Sequence, residues 1–196
     1  MGKSVEFWFD IVSPASYLAW TQMPELARET GAEIDYRPFF LPGLFKEAGS
    51  SSPISVPAKG KWLLADLKRW ANRYGVEFNM NPHFPTSSVY AMRGLIAWRE
   101  RPEFVALADG FFQSMWVRRE DINDPAIVAG IVDNAGIDSQ EYMAALENPA
   151  NKQAVFDTTG ELAKKGGFGA PHFFVNGEMH WGQDRLDFVR EALKNA

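Results

Sequence analysis

Residues 5–20 read VEFWFDIVSPASYLAW, and the change of character at Ser13 decides the architecture. The stretch before it is rich in β-formers, so residues 4–10 predict a strand. Ser13 then fits a helix N-cap, with Pro14 at the first helical position, where a missing N–H costs nothing. The predicted helix runs on through ASYLAWTQMPELARETG, with Pro24 as a kink or break and Gly31 as the stop. AEIDYRPFF, residues 32–40, follows as a second strand. Two strands joined through a helix of that length imply a right-handed βαβ unit with parallel strands.

Working outward, residues 41–57 turn to Gly, Ser and Pro and predict a long loop of the kind that more often serves a function than not. A hundred residues of helical periodicity follow. Leu63, Leu67, Trp70 and Tyr74 form one stripe, and Phe104, Leu107, Ala108, Phe111, Phe112, Met115 and Trp116 form another. Asp124-Pro125 and Asn148-Pro149 each pair a capping residue with an N1 proline, and Asp138 with Glu141 predicts a capping box. The end changes again. APHFFVNGEMHW, residues 170–181, reads as two short strands around Asn176-Gly177, a type I′ hairpin signal. A last helix follows, with Leu186, Val189 and Leu193 on one face. The order is βαβ, a helical block, then ββα.

Composition bounds what such a chain does. With 196 residues, 46% of them apolar and 14% aromatic, it is long enough for a substantial core. Its 20 basic and 25 acidic residues are interleaved and sum to −5, so no basic face for nucleic acid is expected. The opening MGKSVEFWF has no apolar segment long enough for a signal sequence, and no later stretch has the length of a membrane span, which predicts a cytoplasmic protein without a membrane partner. The absence of cysteine excludes disulfides and thiol redox chemistry by the protein itself. Three scattered histidines, His83, His172 and His180, predict no metal site.

The chemistry concentrates at the two ends of the chain. A helix N-terminus offers unpaired N–H groups and a partial positive charge, which favour an anion. On spacing alone, SPAS at residues 13–16 is accounted for by Ser13 capping the helix and Ser16 completing its first turn. At the other end Gly166 and Gly167 stop a long helix, and Ala170-Pro171 opens a strand, where proline belongs. In a βαβ–ββα arrangement this turn can face the first helix's N-terminus. The isomer of the Ala170-Pro171 bond is left open by the sequence.

This organisation resembles the thioredoxin superfamily, in the DsbA-like branch that carries a helical insertion. SPAS falls where that superfamily has Cys-x-x-Cys, and GAP, residues 169–171, falls at its cis-proline loop. Within the branch, FDIVSPASYLA, DLKRWANRYG and FGAPHFFVNGEMHWGQDRL look like the 2-hydroxychromene-2-carboxylate isomerases, relatives of the kappa-class glutathione transferases. The resemblance implies an α/β fold of the DsbA/kappa type: a thioredoxin-like domain from residues 1–58 and 166–196, and an all-helical insertion at 59–165.

It also implies glutathione as the borrowed thiol, Ser13 as the catalytic serine, and a homodimer. The expected reaction interconverts 2-hydroxychromene-2-carboxylate and trans-o-hydroxybenzylidenepyruvate, a step in naphthalene-type catabolism. In this reading Ser13 stabilises the thiolate and is not itself the nucleophile. Ala170, beside Pro171, pairs strand-fashion with the cysteinyl unit. Gln183 and Asp184 meet the γ-glutamyl end, where the residue types alone would read as a helix cap. Lys59 and Ser51 are candidates for the rest of the tripeptide, against plain solvation. Relatives often carry threonine after the cis-proline, whereas this chain has His172; a buried structural histidine and a substrate-pocket residue both fit that position. Trp62, Tyr90 and Trp116 are candidate linings for an aromatic substrate, against membership of the core. Two other functions share the pattern: a kappa-like glutathione transferase, and a non-catalytic thioredoxin-fold protein that binds a peptide.

Overall fold

The computed structural model describes residues 2–196. Strand β1 (Ser4–Phe9) leads through α1 (Pro14–Trp20) and α2 (Met23–Thr30) to β2 (Glu33–Pro38), which lies parallel to β1. Pro24 breaks the first helix in two, as expected of a residue that cannot donate within a helix, and Gly31 ends α2 in the left-handed conformation at φ 68°. Near the C-terminus β3 (His172–Val175) and β4 (Glu178–Trp181) form a hairpin, with Asn176 and Gly177 at φ 50° and 85°. β3 lies antiparallel to β1, which gives the sheet order β2-β1-β3-β4.

Between the strand pairs run α3 (Leu41–Glu47), α4 (Pro57–Tyr74), α5 (Val89–Trp98), α6 (Phe104–Gln113), α7 (Pro125–Asn134), α8 (Ser139–Glu147) and α9 (Pro149–Lys164); α10 (Leu186–Lys194) closes the chain. The segment expected as a long loop after β2 is therefore partly helical. Pro42 and Gly43 suggest a loop, but the proline falls in the first turn of α3, where it breaks no bond, and Leu44 is drawn into the core. Asp124, Asp138 and Asn148 cap α7, α8 and α9 through their side-chain oxygens. The capping box at α8 is only half made, because the Glu141 carboxylate turns outward to Arg101 instead of back to Asp138.

The alternation along β1 and β3 divides the core. Phe7, Phe9 and Phe173 point to the face covered by α1 and α10, where they meet Leu18, Trp20, Val189 and Leu193, and the Phe7 and Phe173 rings stack 5.1 Å apart. Trp8 and Phe174 point the other way, onto Phe39, Leu44 and Leu162 of α9. The predicted stripe from Phe104 to Trp116 is buried throughout, and its last turn widens into a π-turn at Ser114–Arg118. This places α6 beside the sheet, with Phe112 against Phe9 and Trp20.

Helix α5 approaches α8 at Gly94, where a Cβ would lie 2.2 Å from the Tyr142 hydroxyl oxygen. The Gly94→Ala variant is expected to lose about 1–3 kcal/mol of stability through overpacking. A urea titration checks this: the midpoint falls while the slope is unchanged.

Candidate functional site

Between the end of β1 and the first turn of α1 the backbone is held by several hydrogen bonds. The Ser13 N–H donates to the Asp10 carbonyl at 3.0 Å. The Ile11 carbonyl accepts from the Trp116 indole N–H at 2.8 Å, and the Val12 N–H donates to the Asp10 carboxylate at 3.0 Å. A turn tied at these points has little freedom to rearrange. Ser13, extended at φ −88° and ψ 115°, accepts from the Ser16 N–H at 3.1 Å and so caps α1. The Ser16 hydroxyl is fully buried and has no hydrogen-bond partner among the described residues.

The second end of the chain meets this turn. The Ala170-Pro171 bond is cis, and the Ser13 hydroxyl donates to the Ala170 carbonyl at 3.4 Å, at the long limit of such a bond. The Pro171 carbonyl accepts from the Gly182 N–H at 3.0 Å, which ties the loop before α10 to the same place. Gly182 has φ 99°, and a Cβ there would sit 2.5 Å from the Asp184 carboxylate, so this position admits only glycine without strain. Next to it Gln183 is buried, and its carbonyl accepts from the Tyr74 hydroxyl of α4 at 2.9 Å. Burial and the neighbouring Asp184 and Asp187 push the Tyr74 phenol up to about 12, which keeps it a donor. Asp184 is half-buried and pairs with Arg185 at 2.9 Å.

Ser13, Ala170 and Pro171 are thus brought together, with Gln183 and Asp184 joined to them through Gly182. Lys59 and Ser51 lie on exposed surface, and among the described residues no hydrogen bond or ion pair ties either to that set. Of the aromatic candidates, Trp116 is core and serves the Ile11 carbonyl, and Trp62 is exposed. Tyr90 lines a separate apolar cavity among α5, α6, α7 and α8, together with Phe111, Val128 and Met143.

His172 is buried and points to the α9 face of the sheet, away from α1, edge-on to Phe168. Its Nδ1 lies 3.1 Å from the Gly169 carbonyl and its Nε2 has no partner among the described residues, so the neutral ring carries its proton on Nδ1 and supports the cis-proline loop from behind. Burial pulls its pKa down to about 4, against a smaller upward effect of the Gly169 bond.

Three residues of this region escape a reading by pattern. Tyr74 belongs to an apolar stripe, yet its hydroxyl is what reaches Gln183. Asp10 and Ser88 are fully buried and bonded to one another at 2.9 Å. The available signal for Asp10 was its place as an acid inside the apolar run VEFWFDIV. Burial pushes its pKa up to about 6, while bonds from Leu41, Val12 and Ser88 hold it lower than burial alone would.

The family model of the DSBA-like thioredoxin domain matches residues 4–194. A 2-hydroxychromene-2-carboxylate isomerase of Sphingobium xenophagum is 33% identical, over 98% of this chain and 99% of its own. Glutathione S-transferase kappa 1 of Homo sapiens is 27% identical, over 97% of this chain and 91% of its own. The solved structure of a 2-hydroxychromene-2-carboxylate isomerase superposes with a TM-score of 0.85 at 26% identity, covering 98% of this chain and 95% of that one.

The two buried titratable groups act on stability with opposite sign. The raised pKa of Asp10 means that the folded state keeps a proton the unfolded chain releases, so stability falls as pH rises from about 4 to about 6. The lowered pKa of His172 means that the unfolded chain takes up a proton the folded state refuses, so stability falls as pH drops from about 6.5 to about 4. In the wild type the two trends largely offset each other. In the His172→Asn variant, whose amide can still donate to Gly169, the acid-side loss is removed. Measured against wild type by denaturant unfolding, this variant is expected to gain about 3 kcal/mol between pH 7 and pH 4.

Proposed function

This chain belongs to the DSBA-like thioredoxin family, in the group of the 2-hydroxychromene-2-carboxylate isomerases and the kappa-class glutathione transferases, and from that premise we propose that it is a glutathione-dependent isomerase. The proposed reaction interconverts 2-hydroxychromene-2-carboxylate and trans-o-hydroxybenzylidenepyruvate. The observation that carries this reading is the pairing of a cysteine-free α1 tip with the cis-proline loop, Ser13 facing Ala170, in a chain similar over its whole length to a named isomerase.

The residues fit a thiol ligand. The Ser16 hydroxyl is buried without a partner beside the tip, and the Ala170 carbonyl takes only the long bond from Ser13 among the bonds described. Bound there, glutathione would supply a thiolate capable of reversible addition to the substrate's conjugated double bond, chemistry that would allow rotation about that bond with no net redox change.

The protein's own residues then have defined tasks. Ser13 uses its oxygen to hold the Ser16 N–H and has its hydrogen only loosely engaged, so that hydrogen can be redirected to an anion at the tip. A hydrogen bond to the charged form and the helix N-terminus both lower a thiol's pKa from about 8.5. Ala170 and Pro171 offer the backbone edge for the cysteinyl unit. Gln183 and Asp184, held by Tyr74 and Gly182, are assigned to the γ-glutamyl end, and Lys59 and Ser51 to the remainder. The 27% identity to a kappa-class transferase favours one second reading, in which the same site releases a glutathione conjugate. Product analysis with an electrophilic aryl halide separates the two.

Glutathione at millimolar concentration is expected to raise the thermal midpoint, since a ligand of the folded state at about 100 times its Kd contributes about 2.7 kcal/mol. The absence of any shift contradicts the reading. The Ser13→Ala variant is expected to lose about 1 kcal/mol of stability with its cap, while its glutathione-dependent turnover falls by more than that loss explains. Turnover equal to wild type removes Ser13 from the site.

A further inference from the structure

One buried carboxylate joins the Ser13 turn to the helical block. Asp10 and Ser88 are both fully inaccessible. One carboxylate oxygen of Asp10 accepts from the Val12 N–H at 3.0 Å; the other accepts from the Leu41 N–H at 2.8 Å and from the Ser88 hydroxyl at 2.9 Å. The same residue's carbonyl accepts from the Ser13 N–H. Leu41 opens α3, whose preceding residue, Phe40, has no side chain able to cap it. Ser88 precedes α5 and gives its hydroxyl to Asp10 instead of to its own helix. The caps of two helices, 31 and 78 residues away in sequence, are therefore supplied or taken up by one side chain.

We propose that Asp10 is the positioning residue of the candidate site: ionised, it clamps the Ser13 turn to the start of α3 and to the start of α5, and protonated, it releases part of that clamp. Three donors converge on two oxygens. A carboxylate satisfies all of them, whereas an amide has one acceptor oxygen and turns an N–H₂ group onto a donor. The groups that meet Asp10 from the β1–α1 turn, α3 and the α5 cap are two backbone N–H groups and one hydroxyl, and among the described residues no charged side chain contributes to its ionisation. Removing the Ser88 hydroxyl takes away one of the bonds that favour the anion, so the Ser88→Ala variant protonates at higher pH than wild type. The catalytic consequence rests on the glutathione reading; the clamp itself does not.

Amide hydrogen exchange on the free protein tests the clamp, with protection at Val12 and Leu41 corrected for intrinsic rates and read at about pH 7, beside the pH titration of the Asp10 carboxyl carbon resonance. In Asp10→Asn protection is lower than in wild type by about tenfold at one amide or both, as expected for the loss of a hydrogen bond to a charged group. In Ser88→Ala the midpoint of the Asp10 titration lies at higher pH than in wild type; this variant decides the matter alone if Asp10→Asn does not fold. Equal protection in Asp10→Asn and wild type, or an unmoved midpoint in Ser88→Ala, overturns the clamp. With glutathione turnover present in wild type, the acid limb of kcat moves up in pH in Ser88→Ala while KM for glutathione stays unchanged. An unmoved limb overturns the positioning role. A wild type without glutathione turnover counts against the proposed function, and the exchange data still decide the clamp.

Discussion

The hydrogen bond from the Ser16 N–H to the Ser13 oxygen, 3.1 Å long, fixes what the opening helix can do. It uses one lone pair of the hydroxyl and leaves the hydrogen with a single long bond to the Ala170 carbonyl. A serine in that condition is a cap and an uncommitted donor at once. It stands at the tip of a helix, whose dipole favours an anion. A cysteine-free chain has no sulfur of its own to place there, so the local electrostatics are those of a thioredoxin-like tip without the thiol. Everything proposed about activity follows from pairing that donor with the cis-proline loop.

The rest of the molecule holds the two halves of this arrangement in register. β1 and β3 are neighbours at the centre of the sheet, so the end of one and the start of the other meet by topology. Phe7 stacked on Phe173 locks the pairing from the α1 side, and Trp8 against Phe174 locks it from the α9 side. Around this frame the buried polar groups are spent on the loops rather than on the core. His172 supports Gly169, Trp116 takes the Ile11 carbonyl, Tyr74 takes the Gln183 carbonyl, and Asp10 gathers Val12, Leu41 and Ser88. Each bond of this kind costs desolvation, and a fold seeking stability alone would replace several of these groups with apolar ones.

Local rules made most of the architecture legible. Ser13-Pro14, Pro24, Gly31 and Asn176-Gly177 act through their own backbone preferences, so their effects can be read without knowing the fold. The stripe from Phe104 to Trp116 is legible because burial on one face follows helical period. What was misread shares one cause: the outcome depended on a distant partner. Residues 41–57 look like loop until Leu44 is seen to have Trp8 and Leu162 to pack against. Glu141 fails to close its capping box because Arg101, forty residues earlier, takes its carboxylate. Tyr74 carries no sequence mark of a site, and Asp10 shows only as an acid within an apolar run, since their partners lie across the fold. The juxtaposition of Ser13 with Ala170 was anticipated through the βαβ–ββα order. Lys59, in the first turn of α4, and Ser51, in the segment before it, are exposed, and pattern says little about the partners of exposed residues.

The central claim is that the α1 tip stabilises an external thiolate through the Ser13 hydroxyl, and its most direct measurement is the ultraviolet absorbance of that thiolate as a function of pH with glutathione bound. The account predicts that bound glutathione ionises well below the free thiol value of about 8.5 in wild type, and that Ser13→Ala moves the midpoint back toward it. A bound thiol that titrates like the free one, or a midpoint indifferent to Ser13, contradicts the account.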